Sequence, residues 1–73
     1  MARPRANIPL VIELAQLRAQ GTYGYEVAAD AGIPPNRLSE FARGQRQPAP
    51  EVAARIADAI GKPVEQFWPD LAT

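Results

Sequence analysis

Asn36, Glu40 and Arg43 recur at intervals of four and three residues between Pro35 and Gly44. On a helix this spacing gathers the three side chains within about 60° of one another, opposite Leu38, Phe41 and Ala42. The stripe combines an amide that donates and accepts, a carboxylate that accepts and a guanidinium that donates. In a major groove those groups match the two hydrogen-bonding edges of adenine, the amino group of cytosine, and guanine or a phosphate. Arg37 and Ser39 flank the stripe, so Asn36, Glu40, Arg37 and Ser39 are candidate base readers. Any amphipathic helix has a solvated polar face, however, so the stripe gains meaning only from its surroundings.

Those surroundings are rich in cations. Arg43 and Arg46, with Gln45 between them, lie where a loop following the helix would pass a nucleic-acid backbone, and phosphate contact is the role expected of them. Tyr25, near the start of the preceding helix, can offer its hydroxyl to a phosphate or pack against the first helix. Arg3-Pro4-Arg5 forms a short basic arm that could enter a minor groove or stand as an ordinary chain terminus.

Other chemistry is poorly provided for. The chain has no histidine and no cysteine, and Ser39 is its only serine. No ordinary nucleophile and base can be paired, and neither disulfides nor the usual structural zinc sites can form. Glu13, Glu26 and Asp30 do not converge, and a glycine-rich phosphate loop is missing. The expectation is a protein that is not an enzyme and has no metal, cofactor or small-molecule ligand. No apolar run approaches a membrane span, which favours a cytoplasmic, nucleoid-associated protein.

The elements that must position these groups fit into 73 residues, enough for one small domain. Alanine makes up 14 of the apolar residues, so the core must be thin and closely packed. Glycine and proline divide the chain into short segments with helical apolar spacing. The segments are 9–20, with Leu10, Leu14 and Leu17 inward; 23 or 24 to 31; 35–43; 50–60, with Val52, Ile56, Ala59 and Ile60 inward; and 63–68. An all-α, compact, five-helix orthogonal bundle follows, spanning 9–69 between a flexible basic arm at 1–8 and a tail at 70–73.

Segments two and three meet at a tight turn. Ala28 is small enough for close helix packing, and Gly32 tolerates a left-handed backbone. Val27, Ala31, Ile33, Leu38 and Phe41 fall where side chains must point into a shared core. From Gly24 to Arg43, and onward through Gly44-Gln45-Arg46-Gln47-Pro48, Val52 to Gly61 and Phe67-Trp68, the chain resembles the lambda-repressor, Cro and Xre-like helix-turn-helix regulators of bacteria and phages. It departs from their pattern at Gly24, where a phosphate-touching glutamine is common. Ala42 and Arg43 stand where an acidic residue and asparagine are usual, and Pro34 replaces a hydroxyl cap.

The resemblance implies sequence-specific binding of double-stranded DNA by a transcriptional regulator, most simply a repressor, with the third helix in the major groove. It also implies a homodimer on a palindromic operator, because one short helix reads few base pairs. Phe67, Trp68 and Leu71 are expected to close the core, with a two-fold patch of Trp68 and Leu71 as the alternative. The rival function is an antitoxin or adaptor using the same fold for protein contacts, which Glu40 and Gly24 favour.

Zero net charge argues at first against a nucleic-acid partner. The charge is segregated, however: residues 1–7 and 33–48 each carry +2, and residues 8–32 and 49–73 each carry −2. The positive stretches are the arm and the third helix with its loop.

Overall fold

The computed structural model describes residues 5–71. Four α-helices, α1 (Ile8–Ala19), α2 (Gly24–Ala31), α3 (Pro35–Ala42) and α4 (Pro50–Ile60), are followed by 3-10 turns at Val64–Gln66 and Pro69–Leu71. Among the described residues there is no strand, and the all-α expectation holds.

The expected fifth helix at 63–68 is a single 3-10 turn. Pro63 and Pro69 bracket too few residues to nucleate an α-helix, and Pro69 biases Trp68 away from helical backbone. Its three-residue bonds run from the Gln66 amide to the Pro63 carbonyl and from the Phe67 amide to the Val64 carbonyl, both at 3.1 Å. The Trp68 amide adds a four-residue bond to the Val64 carbonyl at 2.8 Å.

At the other end, α1 starts one residue before the segment expected from Pro9. Asn7 caps it: its side-chain oxygen accepts from the Leu10 amide at 3.2 Å, satisfying a donor that the first turn would otherwise leave free. The expected arm of 1–8 thus gives its last residue to the helix and Asn7 to its cap. Arg3 and the rest of the arm up to Pro4 lie outside the described residues.

In α2, Gly24 is the first helical residue, where glycine costs less than in a helix interior. The Tyr23 amide before it donates to the Glu26 carboxylate at 2.7 Å. The helix ends at Gly32, whose φ of 74° lies in the left-handed region, and the Ile33 amide donates back to the Ala28 carbonyl at 2.9 Å. Ile33-Pro34-Pro35 then turns the chain directly into α3. Pro34 stands at the cap position and makes no side-chain cap bond.

Alpha-helix α2 packs against α1, α3 and α4, with Ala28 fully buried at that junction. Five of the twelve buried apolar residues are alanines, which let short helices approach closely enough to fill the core without large side chains. Leu10 and Ile56 are the largest fully enclosed side chains. From below, Phe67 and Trp68 meet edge to face, with ring centroids 5.9 Å apart. Within α4, Ala53, Ile56 and Ala57 are buried, while Val52, Ala59 and Ile60 pack at the core margin.

Candidate nucleic-acid interface

The outer face of α3 carries Asn36, Ser39 and Arg43, all exposed, while Leu38, Phe41 and Ala42 are buried. The helix is eight residues long and reaches solvent along one side because its neighbours, α1 and α2, hold the other. Ser39 and Arg43 share a depression with Gly24, Tyr25 and Pro35, floored by Leu14, Leu38 and Ala42. The α2–α3 turn thereby brings one candidate base reader, Ser39, beside two candidate phosphate contacts, Tyr25 and Arg43. Tyr25 does not bury itself against α1. It stands exposed and stacks on Tyr23, with ring centroids 5.8 Å apart and planes 7° from parallel. The Arg18 guanidinium lies 5.9 Å from the Tyr23 centroid, a cation–π arrangement that continues the stack onto α1.

Glu40 is placed differently from its neighbours on the stripe. Its carboxylate oxygen Oε1 lies 3.5 Å from Arg37 Nε and 3.3 Å from Arg46 Nε. That oxygen is closed off from solvent and accepts no hydrogen bond of good geometry. Two cations thus flank one carboxylate, and the chain folds back to allow it. The Gln45 amide donates to the Glu40 carbonyl at 3.0 Å, Gly44 turns with a φ of 75°, and the buried Pro48 anchors the far side of the loop. Gln45 and Arg46 are exposed.

The start of the described chain runs across this loop. A β-carbon on Gly44 would overlap the Arg5 backbone carbonyl, so only glycine lets the two segments cross here. The Asn7 amide donates to the Ala42 carbonyl at the end of α3, and its side-chain nitrogen donates to the Phe67 carbonyl, both at 2.9 Å. Arg5 and Arg46 consequently line one open cleft, together with Gln47 and the Phe67–Asp70 segment. Sequence reasoning passed over Asn7, although an asparagine two residues before a helix-opening proline is a capping signal. Nothing in the pattern pointed to its second and third bonds.

Trp68 is 5% exposed and Leu71 packs against the core beside it. The pair closes the core, as first expected, and the alternative of an exposed Trp68 patch is corrected: the indole is taken up by contacts with the body of the domain. Among the described residues the exposed large apolar and tyrosine side chains lie elsewhere, at Ile8, Val11 and Ile12 on α1 and at Tyr23 and Tyr25.

A family model described as helix-turn-helix matches residues 14–67. The chain belongs to this helix-turn-helix family, of the Xre and lambda-repressor type. Among solved structures it is similar to the crystal structure of the clp gene regulator ClgR from C. glutamicum, with 28% identity and a TM-score of 0.65. The alignment covers 96% of this chain and 92% of that one. A search of curated proteins finds no match. In helix-turn-helix terms α2 and α3 are the first and second helices of the motif. The family position that here holds Ala42 is buried, and its main chain serves as the acceptor for Asn7. No described helix is long and apolar enough to cross a membrane.

Proposed function

We propose that this helix-turn-helix protein is a transcriptional regulator, acting most simply as a repressor, that binds double-stranded DNA sequence-specifically with α3 in the major groove. The observation that carries the reading is the outer face of α3, where Asn36, Ser39 and Arg43 stand clear of the core. Asn36 lies in the first turn, the end of a recognition helix that usually approaches base edges. Arg43, Tyr25, Gln45 and Arg46 are the phosphate contacts in this reading, Arg37 lies beside the base-reading stripe, and Arg3 and Arg5 are the candidate minor-groove contacts. Similarity to a gene regulator over nearly the whole of both chains supports the same function.

A helix of eight residues reads only a few base pairs, so the proposal includes a homodimer on a palindromic operator. A two-fold contact must use a surface other than the buried Trp68.

Fluorescence anisotropy across a salt series tests the reading. Affinity is expected to fall steeply with salt on any duplex, with a tighter component on duplexes selected from a random library. Weak binding that is flat with salt would overturn it and leave the antitoxin or adaptor reading in its place.

A further inference from the structure

Glu40 falls on the recognition stripe by helical phase, yet its side chain is only 29% exposed and one carboxylate oxygen is closed off. Its Oε1 is inaccessible to solvent and sits between Arg37 Nε at 3.5 Å and Arg46 Nε at 3.3 Å. A carboxylate reading cytosine would have to leave two guanidiniums and carry an unneutralised charge toward DNA phosphates. Both steps oppose binding. Arg46 is in the opposite position. Its inner nitrogen faces Glu40, while its terminal amino groups lie farther along a side chain that is 54% exposed.

We infer that Glu40 is a positioning residue, not a base reader: it clamps Arg46 of the loop to the recognition helix so that this cation meets the DNA backbone in fixed register. The inference rests on the DNA-binding reading above. Arg46 has a long, rotamer-rich side chain on a loop, and ordering it at the moment of binding would cost affinity. Held in advance by a residue of α3, it makes its contact only where α3 is correctly seated. The clamp therefore acts on the ratio between operator and random DNA, a quantity in which the general effect of removing one negative charge largely cancels. Arg37, one turn before Glu40 on the same helix, holds the carboxylate from the other side.

The test has two arms on the full chain. In the free protein, nitrogen relaxation of the Arg46 Nε–H signal is expected to show restricted side-chain motion in the wild type. It should revert to free motion in Glu40→Gln, with the exposed Arg55 as internal reference. In the DNA arm, Glu40→Gln is expected to lower the ratio of operator to random-duplex affinity by about two- to tenfold. The bases recovered from a random library should not change. In an Arg46→Ala background the same substitution should alter that ratio by less than twofold.

A changed base preference at one operator position in either background would make Glu40 a reader and overturn the inference. So would an equal loss of ratio in both backgrounds, or an Arg46 signal indifferent to Glu40. These failures are distinct from failure of the DNA-binding reading, which would show as a wild type binding no duplex. Circular dichroism of each variant against wild type confirms that the fold is retained in the comparison.

Discussion

Helices α1 and α3 divide their residues between core and solvent in opposite ways. In α3, residue type and burial agree: Leu38, Phe41 and Ala42 are inside, and Asn36, Ser39 and Arg43 are outside. In α1 they do not. Leu10 is fully buried and Leu14 and Leu17 pack at the core margin, yet Ile8, Val11 and Ile12 are 40–56% exposed on the same helix. The acidic Glu13 is buried, with Lys62 Nζ 4.0 Å from its carboxylate. The amphipathic pattern of α3 is sufficient to orient it, whereas α1 is apolar on more than one side and is oriented by its partners. A helix of the first kind can spend its outer face on recognition, because polarity there already suits water and phosphate.

The largest expected effect that would sharpen this contrast is within α1. Leu10→Ala should destabilise the fold by about 2–5 kcal/mol, because the side chain is fully enclosed and its truncation leaves a cavity in the core. Ile12→Ala, two positions away, should change stability by no more than about 0.5 kcal/mol. Urea unfolding of both variants measures the difference, and comparable losses would break the assignment of the inner face.

On α3, Asn36→Ala should cost about 1–3 kcal/mol of discrimination between operator and random DNA while leaving nonspecific binding intact. Competition anisotropy reads this directly, and an unaltered preference would break the assignment of the outer face.

Asn7→Ala comes next, at about 1–2 kcal/mol of stability, since the helix cap and the bond to Phe67 are lost together. Thermal unfolding checks it. Its backbone bond to Ala42 does not depend on the side chain, and so the C-terminal end of α3 should remain tied.

Smallest in discrimination is Arg46→Ala. It should weaken binding to all sequences, lower the operator-to-random ratio by no more than about the two- to tenfold expected of Glu40→Gln, and reduce the slope of log affinity against log salt by about 1. Much of its effect belongs to phosphate contact, with only the clamped part appearing as operator preference.

The contrast also explains what could be read from the residues. Gly32 followed by Pro34-Pro35 fixes the α2–α3 turn locally, and Leu10, Leu14 and Leu17 identify the inward side of α1 despite its second apolar face. Proline punctuation located the C-terminal closure, but it could not tell an α-helix from a 3-10 turn because so few residues lie between Pro63 and Pro69. The outer face of α3 was legible through helical phase. Glu40 was assigned to it by the same phase, which records only an angle and not where a flexible carboxylate goes. Its capture by Arg46 depends on a loop that returns through Gly44, and the approach of Arg5 to Gly44 depends on a crossing of segments far apart in sequence. Contacts of that kind have no local signature.

Asn7 bonds to Phe67 across 60 positions of sequence, and to the end of α3 as well. Its amide therefore cannot be exposed by simple fraying of the first turn of α1; releasing it requires α1 and α3 to part. In native-state hydrogen exchange the Asn7 amide is expected to be protected to nearly the full free energy of unfolding and to lose that protection together with the amides of the core. Contacts of such long sequence separation also form late and slow the search for the folded state, so the same tie that makes the domain cooperative sets a floor on how quickly it can be assembled.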